Sequence, residues 1–213
     1  MSSAPPARPE PLAAFLAAHS PPAGALADAD GYLVMLREAN QRMNLVGAST
    51  LGDFWVRHFL DSAQLLALAP RARSWADLGS GAGLPGVILA ILLKQTPGAR
   101  VHLVESVAKK CAFLEGVVRG LSLPAEVVCA RAEDLALRVD VVTARACAPL
   151  PRLLGFAAAY LNRGAKALFL KGSEVDSEIA EARKSWRFDL AIHPSLSDPR
   201  GRVLEITELA RAR

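Results

Sequence analysis

The stretch WADLGSGAGLPGV, Trp75–Val87, places four glycines within eight residues, with Asp77 two residues before the first and Pro85 directly before the last. Glycines that close together let a chain turn sharply and let its backbone approach a ligand. Two spacings are satisfied at once. Gly81, Gly83 and Gly86 give the G-x-G-x-x-G of dinucleotide turns, while Asp77, Gly79, Gly81 and Gly83 give D-x-G-x-G-x-G, the turn that receives S-adenosylmethionine (SAM) in many methyltransferases. The turn sits between a short apolar strand, Ser74–Leu78, and a helical run, Pro85–Gln95, whose first turn accepts a proline because that N–H has no helical partner.

Working outward, strands are expected at Arg100–Glu105, Glu126–Cys129, Asp140–Ala144 and Ala165–Lys171, and helices near Ala108–Gly120, Pro149–Leu161 and Glu174–Lys184. Alternating short apolar strands and helices imply a parallel sheet covered on both faces. The chain closes with FDLAIHP and RVLEITEL, two strand-like runs with no helical run between them, read as an antiparallel pair. The fold class is therefore α/β: a Rossmann-like, largely parallel seven-stranded sheet with an antiparallel last pair. Before the first strand the pattern is helical. Pro11 to Asn44 carries a stripe of Tyr32, Met35, Leu36, Ala39 and Met43, with Asp30 as a candidate N-cap. Leu51 to Leu68 reads as one more helix, burying Phe54, Phe59, Leu65 and Leu66. Residues 12–70 are thus an N-terminal helical extension capping a core of 71–213, and residues 1–11, with four prolines, a disordered tail.

Bulk properties narrow the class. At 213 residues and 52% hydrophobic composition, the chain can bury one sizeable core. Its longest apolar run, Val87–Leu93, falls far short of the roughly 18 residues of a membrane span, and its N-terminus lacks the basic and apolar regions of a secretory signal. Cys111, Cys129 and Cys147 form no C-x-x-C pair, so neither a disulfide framework nor a metal site is indicated, and a cytoplasmic location is expected. Net charge is +4 with a pI near 9.2, compatible with a polyanionic partner; the basic groups RARS, ARKSWR and PRGR read equally well as solvated faces.

Glu105 ends the second strand, 22 residues after Gly83, where an acidic residue accepts hydrogen bonds from ribose hydroxyls. Asp77 favours SAM over a pyrophosphate, because SAM carries an ammonium group. In CARAED, Ala132 and Glu133 fall where an adenine would lie, although Glu133 and Asp134 serve a turn cap as readily. Arg145 leaves the fourth strand at its carboxyl end, facing the ligand crevice, free for phosphate, a guanine edge or a neighbouring carboxylate. No catalytic carboxylate stands beside it. A guanine N7, which holds a lone pair and no proton, needs none; it needs positioning.

Together RHFLDS (57–62), the preceding NLVG, DLGSGAGLPG, ESVAKKCAFL (105–114), ARAED, ARACAPL and LKG (170–172) resemble the bacterial 16S rRNA guanine-N7 methyltransferase family, RsmG or GidB, over residue 24 to the end. The resemblance implies a class I SAM-dependent methyltransferase that methylates N7 of guanine 527, in the 530 loop of 16S rRNA, on the small ribosomal subunit, as a monomer and without a metal. It implies cofactor contacts from Gly79, Leu84, Ala132, Glu133 and Arg145, with Ser80, Gly81 and Gly83 in the turn and Glu105 on the ribose. Arg145 then serves the methionine carboxylate in preference to RNA. Arg57, His58, Asp61 and Lys171 become candidates for positioning the substrate, though His58 and Asp61, at i and i+3, are equally placed to pair with one another. Lys109, Lys110, Arg200 and Arg202 are candidate RNA contacts. Val46 stands where the family often has Thr, and Glu105 where Asp is frequent. Two other classes remain in view: an NAD-dependent oxidoreductase using the dinucleotide spacing, and a non-catalytic rRNA-binding protein on the same fold.

Overall fold

The computed structural model of the protein describes residues 9–135 and 137–212. Seven strands form one sheet in the order β3-β2-β1-β4-β5-β7-β6: β1 is Ser74–Leu78, β2 Arg100–Glu105, β3 Ala125–Cys129, β4 Val141–Arg145, β5 Lys166–Lys171, β6 Trp186–Pro194 and β7 Arg202–Arg211. β1 to β5 are mutually parallel, and β7 inserts antiparallel between β5 and β6. The strand order reverses between β1 and β4. In open parallel sheets that point leaves a crevice beyond the carboxyl ends of the strands. The glycine turn after β1 and Arg145 at the end of β4 therefore meet there.

Both faces of the sheet are covered. On one lie α6 (Leu150–Leu161) and α7 (Val175–Ala182). On the other lie α4 (Gly86–Leu93) and α5 (Ala108–Gly120), themselves overlaid by the N-terminal helices α1 (Glu10–His19), α2 (Ala25–Met43) and α3 (Asp61–Leu68). All eight residues of α4 are buried, because the sheet takes one side of it and the cap the other. Such all-round apolarity marks an interior helix. One hydrophobic cluster runs without a break from Leu12, Phe15, Tyr32 and Leu36 of the cap to Ile88, Leu103 and Leu114 of the core.

Three expectations change near the N-terminus. The tail expected over 1–11 lies outside the described residues except at its end, where Glu10 opens α1 with Pro11 in its first turn. Asp30 is no cap: α2 starts at Ala25 behind Gly24, whose φ of 82° only glycine adopts without strain, and Asp30 sits exposed within the helix. The helix expected over 51–68 is broken into a 3₁₀ turn at Ala48–Leu51, a π-helical stretch at Trp55–Leu60 and then α3. The wider π ring is sealed by the Ser62 hydroxyl, which donates to the His58 carbonyl at 2.6 Å. His58, in the π-helical stretch, and Asp61, at the head of α3, both face the crevice.

Candidate active site

A cleft of about 1000 Å³ opens at the carboxyl end of the sheet. Its walls are the Leu45–Thr50 loop and the RHFLD segment of the cap, the glycine turn, the segment after β4, the LKG segment after β5, and the β6–β7 loop. A second cavity of about 170 Å³ adjoins it, lined by Glu105, Ala132, Glu133 and, from α6, Arg152 and Phe156. Gly79, Cys147 and Ala148 line both, so the two communicate over the first glycine.

Three glycines of the turn are required sterically, among them Gly83, with φ +95° and a Cβ that would overlap Val87. Gly79 has φ +64° and a Cβ there would overlap the Cys147 side chain; at Gly86 it would overlap Leu103 and crowd Asp77, holding α4 away from β2. The turn is braced from below. Ser80 N–H donates to Val104 O, and Tyr32 in α2, fully buried, donates its hydroxyl to Ala82 O at 2.7 Å. Glu105 reaches under the turn: Oε2 accepts Gly81 N–H at 2.9 Å, while Oε1 accepts Ser106 and Val107 N–H at 2.8 and 2.9 Å. With two lone pairs on each oxygen, Oε2 retains room for one further donor.

Asp77 lies elsewhere than expected. It is 0% exposed and lines neither cavity; Oδ2 accepts from the Ser80 hydroxyl at 2.6 Å and Gly86 N–H at 3.0 Å, and Oδ1 has no hydrogen-bond partner. Burial pushes its carboxyl up to about 7 against the opposing pull of those bonds and of Arg145. Asp77 is thereby bonded to the first amide of α4. A short side chain at the end of β1 meets that amide first, because Gly86 lets the helix approach so closely.

Arg145 is the hub of the cleft. Nη1 donates to Arg57 O at 2.9 Å and to Asp61 Oδ2 at 3.1 Å, and Nη2 donates to His58 Nδ1 at 2.9 Å. Because a guanidinium only donates, His58 Nδ1 is the acceptor and Nε2 carries the hydrogen, which it gives to Thr50 Oγ1 at 2.8 Å; Thr50 then donates to Gly47 O. Burial, with Arg145 and Arg57 alongside, drives His58 down to about 4, so it is neutral near pH 7. His58 and Asp61 do not pair with each other; both hold Arg145. Asp61 Oδ1 in turn accepts from the Ser197 hydroxyl at 2.5 Å and from Gln64, whose Oε1 receives Leu196 N–H. The cap, β4 and the β6–β7 loop are tied through one carboxylate.

Lys171 enters the cleft from the end of β5, donating to Ala148 O at 2.9 Å and to Glu178 Oε2 at 2.6 Å. Ser80, Gly81, Leu84, Lys110, Arg57 and Arg202 also line the cleft, whereas Gly83, Lys109 and Arg200 do not. Arg202 is turned back on its own loop by Pro199 O and Gly201 O. Lys109 is exposed in the first turn of α5, and Arg200 stands exposed beside Asp198. The turn at Ala132–Asp134 carries no side-chain cap, which leaves Glu133 on the smaller cavity's wall, 3.8 Å from Arg131. Sequence reasoning missed Thr50, Cys147, Arg152 and Glu178. Of these only Cys147, inside the ARACAPL block, carried a local signal.

Over residues 25–202 the sequence matches the family described as GidB: rRNA small subunit methyltransferase G. The chain belongs to this family. Ribosomal RNA small subunit methyltransferase G of Caulobacter vibrioides (strain NA1000 / CB15N) is 58% identical over 186 residues, spanning 87% of this chain and 86% of its own length. Its counterpart from Caulobacter sp. (strain K31) is 59% identical over 188 residues, spanning 88% and 85%. Among solved structures, the O-methyltransferase TomG from Streptomyces achromogenes, in complex with SAM, matches with a TM-score of 0.57 at 13% identity, over 83% of this chain and 89% of that one. The fold of this GidB family member is therefore the Rossmann-like one of class I SAM-dependent methyltransferases. Membership also sets aside the dinucleotide reading of the glycine turn, although Asp77, the residue first weighed against it, points away from the ligand space.

Proposed function

We propose that this chain methylates N7 of guanine 527, in the 530 loop of 16S rRNA, within the small ribosomal subunit, as a cytoplasmic monomer. As a GidB family member it is a SAM-dependent methyltransferase acting on small-subunit rRNA. The N7 reading rests on one observation: every carboxylate lining the cleft is already engaged. Asp61 is held by Arg145, Ser197 and Gln64, Glu178 by Lys171 and Leu150 N–H, and Asp198 by Arg200 N–H. His58 Nδ1 is likewise taken by Arg145. A cleft whose bases are all occupied suits an acceptor with a free lone pair and no proton to lose, which guanine N7 is.

SAM fits the residues present. The smaller cavity offers Glu105 to a ribose and the wall of Ala132, Glu133 and Phe156 to a base, while Gly79 gives passage over the turn without a side chain in the way. The cap consumes both Nη1 hydrogens of Arg145 and one on Nη2, leaving Nε–H and the second Nη2 hydrogen, two donors suited to a bidentate carboxylate such as that of methionine. When bound, SAM supplies a methyl group on a sulfonium centre, which a neutral nitrogen can take without a base. The chain's part is to hold acceptor and donor in line, an effect of proximity. Lys110 and Arg57 at the cleft, with Lys109, Arg200 and Arg202, supply positive charge for RNA phosphates.

The test is transfer of labelled methyl from SAM to small subunits, and in parallel to naked 16S rRNA, from cells lacking N7 methylation. Product is mapped by strand cleavage at 7-methylguanine. One labelled guanine in the 530 loop, lost in Arg145→Ala, is expected. Label at another base or at a ring position other than N7 would sink the reading.

A further inference from the structure

Lys171 is a charged group in a place that needs explaining. Its side chain is only 9% exposed, and an ammonium that deep must be fully provided with acceptors. The structure supplies two, Ala148 O and Glu178 Oε2, for three N–H donors. Both come from the protein side, from the segment between β4 and α6 and from α7, and the residue also lines the cleft. Glu178 Oε2 also accepts Leu150 N–H at 2.6 Å, so the carboxylate is fixed before the lysine meets it. Of the other cations at the cleft, Arg145 has three of its N–H groups committed to the cap, Arg202 is folded back on its loop, Arg57 is exposed, and Lys110 stands half-buried in the first turn of α5 rather than at the end of a strand.

We infer that Lys171 is the guanine-specificity residue, giving its third N–H to O6 of the target base; this rests on the N7 reading above. Guanine presents two neighbouring acceptors on that edge, N7 and O6, whereas adenine presents N7 and an amino donor. N7 must stay uncovered to attack, so only O6 is left for orientation. An arginine fork would span O6 and N7 together and block the nucleophile. A single ammonium donor contacts O6 and leaves N7 free, and it meets an adenine amino group donor to donor. Charge favours the same arrangement. Guanine becomes cationic as its N7 bonds to the methyl carbon, so a bare ammonium at O6 would oppose the reaction, whereas one 2.6 Å from the Glu178 carboxylate belongs to a neutral pair.

The experiment uses the full chain and small subunits lacking the N7 methyl group, with either the natural guanine or an encoded adenine at the target position. Lys171→Met should lower kcat/KM on guanine subunits by about ten- to hundredfold. SAM affinity by calorimetry should stay within about twofold, and the preference for guanine over adenine should narrow. Lys171→Gln, which keeps a neutral N–H donor, should recover part of both losses. Glu178→Gln, which keeps an acceptor but removes the charge, should lower kcat more than it raises KM. The assignment is overturned if Lys171→Met leaves the rate unchanged, if the Met and Gln variants fall equally with the guanine preference intact, or if the whole loss lies in SAM binding. Wild-type labelling at an atom other than N7 overturns the functional reading and this assignment with it; wild-type N7 labelling with an unimpaired Lys171→Met overturns the assignment alone.

Discussion

Single atoms set the properties of the glycine turn. Gly79 is forced twice over, by its positive φ and by Cys147. Gly79→Ala should therefore lower stability by about 2 kcal/mol or more, and the double variant with Cys147→Ala should regain the steric part while keeping about 1 kcal/mol of backbone strain. Urea denaturation of the three variants measures the split. Two buried groups give opposite pH dependences. Asp77 holds a proton in the folded state between its unfolded value of 3.8 and about 7, so its contribution is full at low pH and is lost as pH rises through that window. His58 is depressed from 6.5 to about 4, so its contribution is full above 6.5 and is lost as pH falls toward 4. Melting temperatures from pH 4 to 8 should show Asp77→Asn gaining on the wild type as pH rises and His58→Gln gaining as pH falls. Parallel curves for either pair would contradict the burial that causes the shift.

At the level of elements, the cap is part of the cleft wall. α2 reaches the glycine turn through the Tyr32 hydroxyl, and the π-helical stretch reaches β4 through Arg145. Tyr32→Phe leaves the buried Ala82 carbonyl without its donor. It should cost about 1 kcal/mol in stability and weaken SAM binding, because that carbonyl belongs to the turn. Calorimetric titration checks the second effect, and an unchanged affinity would mean that the turn is rigid without the cap. The amphipathic pattern of 51–68 showed helical structure and the buried Phe54, Phe59 and Leu65, whereas Leu66, also expected inside, is half-buried. It did not show the π phase, because one extra residue per ring shifts the face by an amount that a periodicity cannot resolve.

Across the whole molecule, the cap also completes the core. α4 has no solvent face, so a chain beginning at Arg73 would expose much of the apolar surface that α1, α2 and α3 cover. Such a truncation should be recovered mainly as insoluble aggregate, measured as the soluble fraction on expression. A soluble fragment with native circular dichroism would show that the sheet and its own helices suffice. No helix among the described residues is long and apolar enough to cross a membrane. Net charge of +4 makes subunit binding salt-sensitive on the functional reading above: KM for subunits should climb steeply between 50 and 200 mM salt while SAM affinity changes little.

Local pattern determined the sheet. β1 and β2 run over the very residues their apolar alternation marks, and β3, β4, β5, α4, α5 and α6 lie within two residues of expectation, because strand and helix periods are short-range properties. The antiparallel final pair was equally legible from the lack of a helix between β6 and β7, and the chain's motifs pointed to its family. What folding alone decided were the partners. Asp77 turns inward to α4, His58 and Asp61 converge on Arg145 from 84 or more residues away, and Lys171 finds Glu178 on a helix that carried no functional signal. Sequence spacing orients a side chain relative to its own element. Which donor meets which acceptor depends on how those elements pack, and only the assembled fold brings them within hydrogen-bonding reach.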